Sequence, residues 1–196
     1  MKVRYDVFCE VCSEKRGINL ETLKHVLMLA VEIAREGREG RKIGTMFVIS
    51  DADEVMSHSR SLILDPLQGH PAELKHIDDP DVRETIKELS QLDGAFVVSD
   101  DGVVISACRY IDAFSEGINL PLGLGSRHMA AASITKQTKA VAVVVSESSV
   151  VRVFDDGELI SQIIPELWML SRYHSHFFGG GPHGEEEEVT VVTNPE

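Results

Sequence analysis

The chain has 196 residues, 43% of them apolar, and its 32 acidic against 19 basic residues give a formal net charge of −13. That length suits one domain with a sizeable core. The charge argues against nucleic acid or an anionic membrane surface as partner, because both need clustered Lys and Arg; a nucleotide ligand needs only a local group of donors. The longest apolar runs, Val26–Val31 and Ala140–Val145, are six residues each, against the ~20 that a membrane span requires. Met1–Asp6 lacks the apolar region of a signal peptide. Three cysteines are too few, and odd in number, for a disulfide framework. The expectation is a cytoplasmic protein.

Residues 1–18 are short and mixed. Within them Cys9-Glu10-Val11-Cys12 has the spacing of half a zinc site, with no second pair to complete it. From Leu20 to Glu36 the pattern is helical: Leu23, Leu27, Ala30 and Ala34 share one face, and Val26, Leu29 and Ile33 widen it until the helix must be buried on more than one side. Glycines and basic residues in Arg35–Gly40 end it. Thr45–Ser50 reads as a strand covered on both faces. Residues 51–80 read as loop, broken by Pro66, Pro71 and Pro80, and Asp81–Leu92 as a helix. Ala95–Ser99 and Val103–Ala107 are strands joined by the hairpin signal Asp100-Asp101-Gly102. The glycine- and proline-bearing loop Asn119–Gly125 opens a helix from about Arg127 to Lys139. Strands Ala140–Ser146 and Val150–Phe154 follow, Asp155-Asp156-Gly157 turns the chain, and Ile160–Leu170 reads as helical. Interleaved strands and helices with hairpin connections imply an α/β fold, a mixed sheet with helices on both faces.

Two segments carry candidate chemistry. Asp93-Gly94-Ala95 lies between a helix and a strand, where no hairpin is needed. It is either a plain turn or a place where Gly94 lets the backbone approach a ligand beside Asp93. In Gly123-Leu124-Gly125-Ser126-Arg127-His128 a glycine loop opens a helix whose first amides have no internal partners and whose dipole favours an anion. Arg127 adds a planar fork for phosphate oxygens, His128 adds a donor, and Ser126 is either the N-cap or a phosphate contact. The bland alternative is an ordinary capped helix with an exposed Arg and His.

Taken together, Asp93-Gly94-Ala95 and, some 30 residues on, Gly125-Ser126-Arg127-His128 with Ala130 and Ala131 resemble the diadenylate cyclase domain family, which carries a DGA motif and a G-T/S-R-H-R motif. The similarity runs through Ile134–Thr138 and Val141–Phe154, and Glu39–Thr45 is similar to the segment before the family's first core strand. It covers about residues 21–165 and most resembles the archaeal stand-alone branch. One departure is Met129, where the motif has a second arginine. The loss of one charge-assisted contact is worth about 1.5–3 kcal/mol, unless Lys136 or Lys139 of the same helix supplies the charge.

The resemblance implies condensation of two ATP into cyclic di-AMP with release of two pyrophosphates. Each ATP offers its 3′-hydroxyl to the other's α-phosphorus, which requires a homodimer or higher assembly with two sites facing across a two-fold axis. It implies Asp93 as the catalytic residue and the ligand of Mg²⁺ or Mn²⁺, Gly94 and Ala95 against the nucleotide, and Gly125, Ser126, Arg127 and His128 on the triphosphate. The expected organisation is residues 1–20 as an N-terminal segment, 21–170 as the cyclase domain and 171–196 as a flexible acidic tail. An alternative function is an inactive regulatory module that binds ATP or cyclic di-AMP. A third is a thiol- or zinc-dependent interaction protein centred on Cys9 and Cys12. Cys108 reads as a small buried hydrophobe, and Arg109 and Tyr110 as lining either the cleft or a dimer contact. His174, His176 and His183 read as part of a solvated tail, the alternative being that with the glutamate run they collect stray metal.

Overall fold

The structure, a computed structural model, describes residues 17–114 and 116–168. Cys9, Cys12, the histidines at 174, 176 and 183 and the acidic tail lie outside the described residues.

Among the described residues the first helix, α1 (Leu20–Glu36), starts where the Asn19 side chain accepts hydrogen bonds from the amides of Glu21 (3.0 Å) and Thr22 (3.4 Å), and it ends at Gly37, whose φ of 62° only glycine adopts freely. Leu23, Val26, Leu27, Leu29, Ala30, Val31, Ile33 and Ala34 are all buried, as the broad apolar pattern requires. Strand β1 (Thr45–Ile49) follows, buried throughout.

The stretch read as loop over 51–80 contains three short elements: α2 (Ala52–Ser57), β2 (Ser59–Ser61) and a 3₁₀ turn at Ala72–Leu74. The sequence conceals them for a physical reason. A three-residue polar edge strand has no period to detect, and β2 is held by the Arg109 side chain, which donates to the Ser59 carbonyl (2.8 Å) and Ser59 Oγ. Helix α3 (Pro80–Leu89) starts with Pro80 in its first turn, Asp79 accepting from the amides of Asp81 and Val82. Strands β3 (Ala95–Val98) and β4 (Val104–Ile111) form the expected hairpin, but β4 runs on past Ala107. Cys108 sits there with φ +55° in a register shift, and that bulge interrupts the alternation on which the shorter reading depended. Helix α4 (Ser126–Gln137), β5 (Val141–Val145) and β6 (Val151–Asp155) are as expected. Ile160–Leu170 is not one helix: β7 (Glu158–Ile163) pairs with β6, and residues 165–168 are helical. Leu159, Ile160 and Ile163 fall at helical spacing, yet an irregularity in the β6–β7 pairing sets them on a strand.

The seven strands form one sheet in the order β2-β4-β3-β1-β5-β6-β7. The β1–β3 pair is parallel and the other five neighbours are antiparallel. Alternation within the strands divides the core. Phe47, Ile49, Phe96, Val98, Val141, Val143, Val151 and Val153 pack with residues of α1 and with Ile86 of α3. Met46, Val48, Ala95, Val97, Ala142, Val144 and Phe154 pack with Ala131, Ala132 and Ile134 of α4 and Val55 of α2. The fold is therefore α/β, a mixed sheet with helices on both faces. On the first face α1 and α3 are tied by ion pairs: Arg83 Nη2 to Glu32 (2.8 Å) and Lys87 Nζ to Glu32 (3.0 Å) and Glu84 (2.7 Å). Burial works against the charge on Lys87, but these carboxylates more than offset it and hold its pKa above the ordinary lysine value.

Phe47 and Phe96 stack with ring centroids 5.1 Å apart at the parallel strand pair, both essentially solvent-free. Phe96→Ala should cost about 3–5 kcal/mol of unfolding free energy by denaturant titration; a loss under 1 kcal/mol would contradict this account of the core.

Candidate functional site

The two sequence motifs meet at one end of the sheet. Met46 pairs with Ala95 in the parallel register, so two residues upstream of that pair stand Gly44 and Asp93, at the starts of adjacent strands. Antiparallel β4 ends at this same end, and the loop after it delivers the first turn of α4.

Asp93 is exposed. Gly94 has φ +111°, and a Cβ there would sit 2.6 Å from the carbonyl carbon of Cys108 and 2.8 Å from the Arg109 amide. The close backbone approach that Gly94 permits is thus to β4. That strand's bulge is fixed by Asp65, which accepts from Ser106 Oγ (2.6 Å) and the Ala107 amide (3.2 Å). Ala95 has its methyl in the core between the sheet and α4. Of the motif, only the Asp93 side chain faces solvent. Cys108 is the buried hydrophobe expected, its thiol pKa pushed up by burial and by the negative charges of Asp65 and Asp93.

Gly125 is the N-cap of α4, with no side-chain hydrogen bond on the first turn. Ser126 is the first helical residue, so the N-cap alternative for its hydroxyl falls away. Gly125 has an ordinary φ of −84°, and a Cβ there would meet nothing within 4 Å. Neither strain nor protein packing demands glycine at this position. Gly44 differs. A Cβ there would collide with Nη1 of Arg127 and lie 3.1 Å from its Cζ and 3.2 Å from Cγ of Glu147. The missing side chain is the seat of the Arg127 guanidinium, and Glu147, after β5, stands beside it. Sequence reading passed over Glu147, since a carboxylate in a Ser-rich turn carries no signal until the fold brings it to Arg127.

His128 is only 8% exposed and packs under the helix, its ring edge against Phe154. Nε2 accepts a hydrogen bond from Nη1 of Arg152 (3.3 Å), which assigns the proton to Nδ1. Nδ1 is buried and has no hydrogen-bond partner among the described residues. Burial first, then the charges of Arg152 and Arg127, bring the imidazole pKa down to about 4. His128 is therefore a neutral ring at pH 7 and contributes no positive charge. Of the two lysines that could have offset Met129, Lys136 lies in the last turn of α4 and Lys139 two residues beyond its end. Lys136 is about 10 Å along the axis from Met129, donating to the Gly117 carbonyl, while the Lys139 amide donates to Asp51 (2.8 Å) at the C-terminal end of β1. Neither serves the first turn. Arg109 is spent on β2, and Tyr110 lies on the surface beneath the Arg60 guanidinium, 4.3 Å from its ring centroid.

The family described as DisA bacterial checkpoint controller nucleotide-binding, DAC for short, matches residues 32–159, which include every residue of this site. The chain belongs to the DAC family. This DAC chain is 49% identical over 167 residues to a diadenylate cyclase of Methanocaldococcus jannaschii, covering 85% of its own length and 52% of the relative's. It is 43% identical over 149 residues to a diadenylate cyclase of Haloferax volcanii, covering 74% and 54% respectively. It thus spans about half the length of the curated relatives it matches. A crystal structure of a hypothetical membrane spanning protein from Bacillus cereus shares the fold with a TM-score of 0.54 at 18% identity, covering 71% of this chain and 62% of that one. No helix among the described residues is long and apolar enough to cross a membrane.

The state of His128 has a measurable consequence. Its folded pKa lies below the unfolded value near 6.5, so the unfolded chain takes up the proton first as pH falls. The stability from burying the neutral ring is complete above about pH 6.5 and is lost progressively toward pH 4. Between these limits the thermal midpoint of the wild type should fall more steeply with acidification than that of His128→Gln. Parallel slopes would contradict the assignment.

Proposed function

We propose that this protein is a nucleotidyltransferase that condenses two ATP into cyclic di-AMP. The observation that carries this reading is the convergence, at one end of the sheet, of an exposed carboxylate (Asp93) and an uncapped helix start seating an arginine (Gly125, Ser126, Arg127). The names of the two archaeal relatives support it.

In this reading the triphosphate lies at the start of α4. The amides of Ser126 and Arg127 and the helix dipole meet its oxygens, and the open space over Gly125 lets those oxygens approach the backbone. Arg127, held over Gly44, opposes the negative charge that grows on departing pyrophosphate. Ser126 adds a hydroxyl donor. Gly94 and Ala95 act by shape: their fit against β4 and the core presents Asp93 at the mouth of the site. Among the described residues no three His, Cys, Asp or Glu side chains gather as a metal cage. A single exposed carboxylate fits an ion such as Mg²⁺ or Mn²⁺ that arrives with phosphates and keeps its waters. When bound, that ion supplies charge neutralisation and lowers the pKa of the attacking hydroxyl.

The reaction forms a bond from the 3′-oxygen of one ATP to the α-phosphorus of the other and breaks the bond to the β-phosphate oxygen, twice per product. The hydroxyl protons leave to solvent and two pyrophosphates depart. No group of the protein is joined to substrate. Because each site supplies one α-phosphate and one hydroxyl, two copies of this chain face each other in the working assembly, and a monomer is inactive.

Incubation of the protein with ATP and Mn²⁺ or Mg²⁺, followed by mass-resolved chromatography, should yield cyclic di-AMP and pyrophosphate. Asp93→Asn should lower turnover at least a hundredfold while sparing most ATP affinity. Arg127→Ala should weaken ATP binding by about ten- to a hundredfold. ATP that binds and stays intact with either ion would replace this reading with that of a nucleotide-binding regulatory module.

A further inference from the structure

We propose that Arg152 of β6 is a second guanidinium contact for the phosphate chain, held in position by His128. The inference rests on the functional reading above and assigns a residue outside both sequence motifs.

Arg152 stands on the rung of the sheet that runs from Ala95 through Met46 and Val144 to Arg152 and Gln162. That rung lies under the first turn of α4, two residues in from Gly44. The Arg152 side chain is half-buried, and burial lowers its pKa. Its partners are both neutral: Nε donates to Gln162 Oε1 (3.1 Å) and Nη1 to His128 Nε2 (3.3 Å). Among the described residues no carboxylate comes within ion-pair distance of it, whereas Arg38, Arg83 and Lys87 each have one or more. A partly desolvated cation is normally matched by an anion. Here two of its five N–H donors are used and three are left, so the chemistry calls for an anion from outside the chain.

His128 makes the arrangement intelligible. A protonated imidazole would repel both guanidiniums and could accept nothing from Arg152. The neutral ring, 8% exposed under the helix, instead offers Nε2 as an acceptor that orients the fork. The ring is a positioning residue and the arginine is the contact. Arg127 on the β1 side and Arg152 on the β6 side then flank the uncapped start of α4. This supplies a second charge at the helix start, where Met129 offers none. Gln162 fixes the far side of the fork and belongs to β7, at the edge of the sheet.

A contact to phosphate separates from a packing role by its dependence on phosphate number. Calorimetric titrations of wild type, Arg152→Gln and Arg152→Lys with ATP, pyrophosphate and AMP in Mg²⁺ make the distinction. Arg152→Gln should bind ATP and pyrophosphate about ten- to a hundredfold more weakly, with AMP affinity changed less than twofold. Arg152→Lys, which keeps the charge without the fork, should fall between. If glutamine at 152 unfolds the chain, the lysine variant carries the test through the same ATP-against-AMP contrast. Wild-type ATP affinity in the variants, or equal losses for ATP and AMP, would overturn the assignment while leaving the cyclase reading standing. A wild-type protein that binds neither ATP nor pyrophosphate would overturn the functional reading itself, and this inference with it.

Discussion

The parallel pairing of β1 with β3 is the constraint from which the site follows. In a sheet otherwise built from antiparallel neighbours, this pair alone puts the starts of two strands side by side. Those starts are Gly44-Thr45 and Asp93-Gly94-Ala95. The stacked Phe47 and Phe96 and the buried alternation on either face lock the register. A slip of one residue would exchange the side chains packed against α1 with those packed against α4, and it would also separate the seat of Arg127 from the carboxylate. Fold stability and site geometry therefore depend on the same contacts.

In open α/β sheets ligands ordinarily gather at the carboxyl ends of parallel strands, which here would mean Ser50 and Asp51. The relevant strand for this site is β4. It runs antiparallel to β3 and ends where β3 begins, and its loop hands the chain to α4 at that end. The helix start, with its free amides and positive dipole end, thus faces the amino ends of β1 and β3. At the opposite end the corresponding groups are already satisfied: the Asp51 carboxylate accepts the Lys139 amide, and the Ser50 amide donates to the Val98 carbonyl. One end of the sheet is closed on itself and the other is left with donors and a carboxylate.

Much of this was legible in the sequence because it is periodic or punctuated. Helix α1 carries its apolar pattern around most of its surface, β5 is an unbroken apolar run and so is β1 after Thr45, and Asp101-Gly102 marks its hairpin. The two motifs were legible through residue type, a glycine loop before Arg-His and an Asp-Gly-Ala at a strand's entrance. What stayed hidden depends on contacts distant in the chain. Gly44 matters because Arg127 occupies its side-chain space, 83 positions away. Gly94 proved to be a packing glycine because β4 bulges at Cys108, and a bulge has no sequence signature here. His128 read as a donor to phosphate, since nothing local reveals that its ring is turned under the helix onto Arg152 and Phe154. Strand β7 imitated a helix because its apolar residues fall at 159, 160 and 163.

The central claim is that nucleotide binds at the amino ends of β1 and β3. A crystal structure with a non-hydrolysable ATP analogue and Mg²⁺ tests it most directly. The account expects the phosphate chain against the amides of Ser126 and Arg127 and the ion beside Asp93. An analogue seated instead at the Ser50–Asp51 end of the sheet would contradict it.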